Sequence, residues 1–153
     1  FIGPLQSNKV KYVAGRCALL HTIDSIALLD EVARRVPDGE LQRCLVQVNA
    51  AREPQKRGVA PEDLPALLDR FAAHERVACA GLMLIPPLSD DPEAARPHLR
   101  ALRELRDREA PKGRPRVDLV ELSMGMSHDL EVAVDEGATL VRVGTAIFGE
   151  RRR

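Results

Sequence analysis

Apolar runs of strand length alternate with amphipathic runs of helix length along the whole chain. Phe1-Ile2-Gly3 reads as the end of a strand. The run from Ser7 to Gly15 reads as a short helix, capped by Ser7 and stopped by Gly15. Ala18–Asp24 is a strand, and the helix after it places Ile26, Leu29, Ala33 and Val36 on one face. Cys44–Asn49 is the next strand. Pro61 followed by two acidic residues opens a helix with a stripe of Leu64, Leu67, Leu68 and Phe71. Val77–Ile85 is again a strand. The helix from Asp91 aligns Leu99, Leu102 and Leu105, and Pro97 is expected to kink or restart it. Val117–Gly125 is a strand. A helix from Ser127 to Gly137 takes Ser127 as its cap and carries Asp129 and Glu131 in its first turn. The last strand is read over Thr139–Gly149.

Six strands thus alternate with five helices. Strict alternation implies a parallel sheet with right-handed crossovers, α/β in class. Two architectures fit, a doubly wound sheet and a (β/α)8 TIM-type barrel. No GxGxxG follows an early strand, which counts against a dinucleotide fold and leaves the barrel slightly ahead. A barrel takes eight units in about 250 residues, so this chain holds about six of eight strands, with the first two βα units missing. Residues 1–153 are read as one partial barrel domain, with no second domain.

Composition changes the picture in a few places. The 23 basic residues balance the 23 acidic ones, for a net charge of zero. A nucleic-acid partner would need a basic excess or stripe, and the closing Glu150–Arg153 is read as a short solvated tail. No apolar run approaches the 18 residues of a membrane span. The three cysteines lack metal spacing. Cys44 and Cys79 sit in apolar runs as core residues, which fits a reducing, cytoplasmic setting. The chain opens on an apolar run without an initiator Met, which reads as part of a longer protein.

Chemistry in a parallel α/β fold gathers at the carboxyl ends of the strands. Here the last two strands run into Ser123–Ser127 and Gly144-Thr145. Small residues and hydroxyls let backbone N–H groups approach a phosphate, and barrels usually bind phosphate after strands seven and eight. Gly and Ser are also ordinary strand-end and cap residues, so either turn alone would say little. Arg142 adds to the pair. Alternation places it with Leu140 and Gly144 on one face of a buried strand, where an unpaired guanidinium costs several kcal/mol. It needs either a structural partner, such as Glu121 on the neighbouring strand, or a ligand acceptor. Gln47 and Asn49 likewise share a face.

These segments match a known family. FIGPLQSNK, HTID, GLMLI, LSMGMSHDLEVAV and VRVGTAIFGER closely resemble the pyridoxal phosphate homeostasis proteins, which are similar to the barrel domain of alanine racemases. The resemblance covers essentially the whole chain and implies a single-domain (β/α)8 barrel binding pyridoxal 5′-phosphate (PLP). It implies that Ser123, Met126 and Ser127 face the cofactor phosphate, completed by Gly144 and Thr145. Arg142 would approach the pyridine nitrogen and keep it unprotonated, because like charges disfavour a second cation. Such a ring is a weaker electron sink. Asn49 and Met83 would lie near the ring or its mouth, and Asn8 and Lys56 on loops beside it. The family's Schiff-base lysine lies upstream of Phe1, and none of Lys9, Lys11, Lys56 and Lys112 matches it.

The implied function is intracellular PLP homeostasis: a cofactor carrier without a dedicated reaction, monomeric at full length, with PLP-dependent apoenzymes as partners and no metal. The alternative is a racemase-like enzyme. That chemistry needs a second base on the opposite cofactor face, and the chain has one tyrosine, Tyr12. A sugar-phosphate barrel without PLP is the remaining reading, and the SMGMS and RVGTAIFG pair counts against it.

Overall fold

A computed structural model describes residues 1–149 of the chain, so the basic tail at 150–153 lies outside the described residues. Five strands form one parallel sheet: β1 (Leu20–Ile23), β2 (Gln42–Gln47), β3 (Val77–Met83), β4 (Val117–Met126) and β5 (Leu140–Arg142). Their spatial order is their chain order. A doubly wound sheet reverses direction at a switch point. This sheet never does, so it winds one way, as a half-barrel does.

Helices fill the crossovers: α1 (Ile26–Arg35), α2 (Leu64–Ala72), α3 (Arg96–Glu109) and α4 (Leu130–Asp135), with a one-turn α5 (Thr145–Phe148) after β5. Their apolar stripes bury against one side of the sheet. Leu29, Val32, Leu64, Leu68, Phe71, Leu99 and Leu102 are fully covered there, together with Leu20, Cys44, Val46, Cys79, Leu82 and Leu122. A second, smaller cluster holds strand residues only: Leu45, Ala80 and Met83, with Leu19 and Leu140 packed on it. It marks the opposite, inner face.

The element pattern departs from expectation in five places. Phe1–Gly3 is not a strand among the described residues, so the sheet has five strands rather than six. Phe1 still makes the two backbone bonds of a parallel pairing beside β1. Its nitrogen donates to Leu19 O at 2.8 Å and its carbonyl accepts from His21 N at 3.0 Å. Ser7 does not cap. It is the first residue of a 3₁₀ helix, Ser7–Tyr12, whose N-cap is Gln6. The α1 stripe is Leu28, Leu29, Val32, Ala33 and Val36. At 100° per residue Ile26 falls about a quarter-turn from its centre, and it is exposed. The expected last strand ends at Arg142, and Thr145–Phe148 is helical. Finally, Asp129, not Ser127, occupies the N-cap of α4.

Pro97 does restart its helix. A 3₁₀ turn over Pro92–Ala95 precedes α3, and Pro97 sits in the first turn, where its missing N–H costs nothing. Two glycines set the far end of the sheet. At Gly81 a Cβ would overlap the Glu121 carbonyl, so β3 and β4 approach there as only glycine allows. Gly125 has φ +92°, and a Cβ on it would lie 2.5 Å from Ala133 of α4.

Candidate functional site

Arg142 ends β5 on the inner face and is buried. Its Nη1 donates to Ser123 O at 2.7 Å and to Ser123 Oγ at 2.8 Å, and its Nη2 donates to Leu84 O at 2.7 Å. Glu121 does not pair with it. That carboxylate accepts from Thr139 Oγ1 at 2.7 Å and lies 3.8 Å from Arg43. Among the described residues Arg142 has no salt bridge. Burial presses its pKa down, and the charge of Asp129 opposes that. A guanidinium carries five N–H donors, so two remain without an acceptor among the described residues.

Ser123 lies within β4, not at its end. It is wholly buried, in register with Met83 and Leu140, while its neighbours Leu122 and Met124 face the helices. Besides Arg142, its hydroxyl meets His21 Nδ1 at 2.9 Å. His21, within HTID, is not among the residues that the sequence pattern singles out. Its signal was a lone imidazole inside a strand, meaningful only once β1 and β4 share a face.

The two strand-end turns do come together. Ser127 Oγ accepts from both Gly144 N and Ala146 N at 3.3 Å. Gly144 is exposed, and a Cβ there would meet nothing within 4 Å among the described residues. Thr145 is the exposed first residue of α5, and Met126 is the register partner of Arg142. Asp129 Oδ1 accepts from Met126 N at 2.7 Å, which holds the β4 turn from below.

The remaining candidates sit elsewhere on the rim or in the interior. Asn49 organises its own loop: its amide donates to Glu53 O at 2.8 Å and its Oδ1 accepts from Glu53 N at 3.2 Å. Lys56 Nζ donates to Pro86 O at 2.9 Å and pairs with Glu53 at 2.6 Å. Met83 is fully buried in the inner cluster, and Asn8 is exposed on the 3₁₀ helix. Clefts of about 420 and 280 Å³ at the strand carboxyl ends share Lys56 and Ile85 as a wall. The larger reaches Met126 and Asp129 and lies beside the Ser127–Gly144 turn rather than over it. Lys112 pairs with Glu109, and Lys9 and Lys11 flank the exposed Tyr12 ring. No group of three or more potential metal ligands occurs among the described residues, and no described helix is long and apolar enough to cross a membrane.

These features define a parallel α/β half-barrel with its polar chemistry gathered where the last two strands end. The chain belongs to the alanine racemase N-terminal domain family, whose model matches residues 2–152, and within it to the pyridoxal phosphate homeostasis proteins. It is 48% identical to the pyridoxal phosphate homeostasis protein of Aquifex aeolicus over 153 residues, 99% of this chain and 66% of that one. The Pseudomonas aeruginosa protein of the same name is 42% identical, with 64% of its length covered. The chain therefore spans just under two thirds of these curated relatives. Among solved structures it superposes on PipY of Synechococcus elongatus with PLP bound at a TM-score of 0.86 and 35% identity, covering 97% of this chain and 69% of that one. Alanine racemase from Corynebacterium glutamicum shares the fold at a TM-score of 0.75 and 16% identity, over 96% of this chain and 41% of that one.

Proposed function

We propose that this chain forms the phosphate-binding and ring-nitrogen-binding part of a PLP-binding protein acting in intracellular PLP homeostasis. It does so as a cofactor carrier without a dedicated turnover reaction. In the finer architecture it is a partial (β/α)8 barrel comprising one domain, with the first two βα units outside this sequence. PLP-dependent apoenzymes are its partners, it is monomeric at full length, and it works in the cytoplasm.

The observation that carries this reading is Arg142: a buried cation with two free donors and no carboxylate among the described residues. A buried charge without an ion-pair partner is costly, and a ligand acceptor for its two remaining donors relieves part of that cost. The residues present fit PLP. Gly144 and Ala146 direct their backbone N–H groups at the Ser127 hydroxyl over long 3.3 Å bonds, which a phosphate oxygen would replace, and the space over Gly144 is open among the described residues. Bound there, PLP supplies a conjugated ring whose electron demand depends on the charge of its nitrogen. Arg142 donates toward that nitrogen and leaves it an acceptor. Met126 and Thr145 border the phosphate, Ser123 holds Arg142 from within, Asn49 and Lys56 shape the neighbouring loop, Asn8 borders the far rim, and Met83 fills the floor.

Fluorescence titration of this chain with PLP, with pyridoxal and with inorganic phosphate tests the reading. PLP binds and is displaced by phosphate, pyridoxal binds far more weakly, and Arg142→Met weakens PLP. Equal binding of PLP and pyridoxal removes the phosphate cradle from consideration.

A further inference from the structure

We propose that His21 is a positioning residue for Arg142, acting through the hydroxyl of Ser123. This deepens the reading above and rests on it only for the ligand. The relay itself is a property of the ligand-free chain.

The direction of the relay follows from counting hydrogens. A guanidinium only donates, so at 2.8 Å from Arg142 Nη1 the Ser123 oxygen accepts. The hydroxyl has one proton left. His21 Nδ1, at 2.9 Å, is its partner. His21 Nδ1 must then present a lone pair, so the imidazole is neutral with its hydrogen on Nε2. A protonated imidazole would put two cations on one hydroxyl, and a neutral Nδ1–H imidazole would leave the enclosed serine proton without this acceptor. The local field agrees. Burial first, then the Phe1 amine and Arg142, drive the His21 pKa down to about 4, and Glu121 opposes them.

Each group in the chain uses its last local hydrogen to fix the next. Ser123 is completely enclosed, so its hydroxyl proton finds no water in place of the imidazole. Without His21 that proton loses its acceptor, and the hydroxyl turns toward another carbonyl. Arg142 then keeps only its two carbonyl bonds, to Ser123 O and Leu84 O. These hold the ends of the guanidinium but no longer fix where its free donors point. The His21–Ser123 contact spans 102 residues of sequence, and with Arg142 the relay links β1 to β5 across the inner face. Strand pairing alone does not do this, because β1 pairs with β2 and β5 with β4.

The test is nitrogen-15 NMR of the 153-residue chain with labelled histidine and arginine, alongside PLP titration. The expected result is a His21 imidazole in the Nε2–H form that stays neutral well below the usual titration range near pH 6.5. Arg142 gives separate, slowly exchanging guanidinium signals. His21→Leu collapses those signals and weakens PLP about tenfold, a loss of about 1.4 kcal/mol. His21→Asn, whose side-chain oxygen replaces Nδ1 as acceptor, restores both. A wild-type His21 in the Nδ1–H form overturns the relay without any variant being needed, and so do unchanged Arg142 signals in His21→Leu. If His21→Leu fails to fold, the wild-type tautomer and the His21→Asn spectrum decide the matter. If the Arg142 signals collapse while PLP affinity is unchanged, the relay stands and the assignment of Arg142 to PLP falls.

Discussion

Arg142 shows how much one residue can constrain. Desolvating a guanidinium costs several kcal/mol, and the chain returns part of that through three bonds to Ser123 and Leu84. All three are to neutral oxygens, so no ion pair offsets the charge among the described residues, and only the more distant charge of Asp129 acts in its favour. At the other side of the site Gly144 carries the opposite lesson, since none of the described residues lies where its side chain would be. Gly144→Val is therefore expected to leave the unfolding midpoint within about 0.5 kcal/mol of the parent, as for other exposed substitutions. It is also expected to reduce PLP binding at least tenfold, because in the proposed site the added methyls would stand where the phosphate approaches. Calorimetric titration beside urea unfolding separates the two effects. A valine variant that binds PLP normally would place the phosphate elsewhere.

Among the elements, the end of β4 and the start of α4 hold the site. Gly125 takes a left-handed turn at φ +92° and packs directly against Ala133 of α4, and Met126 and Ser127 follow at the turn. Asp129 secures this by accepting from Met126 N. Gly125→Ala meets both strain at positive φ, about 1–3 kcal/mol, and overlap with Ala133. Gly113 has φ +63° and open space around its missing Cβ, so Gly113→Ala isolates the first term. The expected order is a loss of about 1 kcal/mol at Gly113 and clearly more at Gly125, read as shifts in urea midpoint at constant slope. Equal losses would mean that α4 moves aside freely.

Across the whole molecule the helices are tied by charge as well as by apolar packing. Arg96, Arg100 and Arg103 of α3 converge on Glu136, at the end of α4, at 3.2, 2.9 and 3.1 Å. Hydrogen bonds from Arg100, then Arg96 and Arg103, outweigh burial and lower the Glu136 pKa from 4.5 to about 2. The folded chain thus favours the ionised form. The stabilisation is present above the unfolded value near 4.5 and is lost as pH falls from there toward 2. Glu109 is depressed in the same sense: burial raises its pKa, but bonds from Lys112 and Arg114 outweigh it. Thermal unfolding followed between pH 6 and pH 2 is expected to show stability falling through this acid window. The fall should be shallower for Glu136→Gln. Parallel curves for the two proteins would show that the network adds nothing to stability.

The alternation of strands and helices was legible in the sequence because side-chain period and burial are local consequences of chain geometry. The stripes of α2 and α3, the restart at Pro97 and the burial of Cys44 and Cys79 all follow from it. So did the choice of Arg142 and the two small-residue turns, since a charge in a buried strand and glycines at strand ends are visible without coordinates. What Ser127 and Ser123 do was not legible. Ser127 looked like a cap for the helix that follows it, and instead it accepts from Gly144 and Ala146, 17 and 19 residues later. Ser123 looked like a strand end and is an enclosed link between Arg142 and His21. A hydroxyl bonds whichever donor the fold brings within about 3 Å, and only the closing of β1, β4 and β5 onto one inner face decided which donors those were.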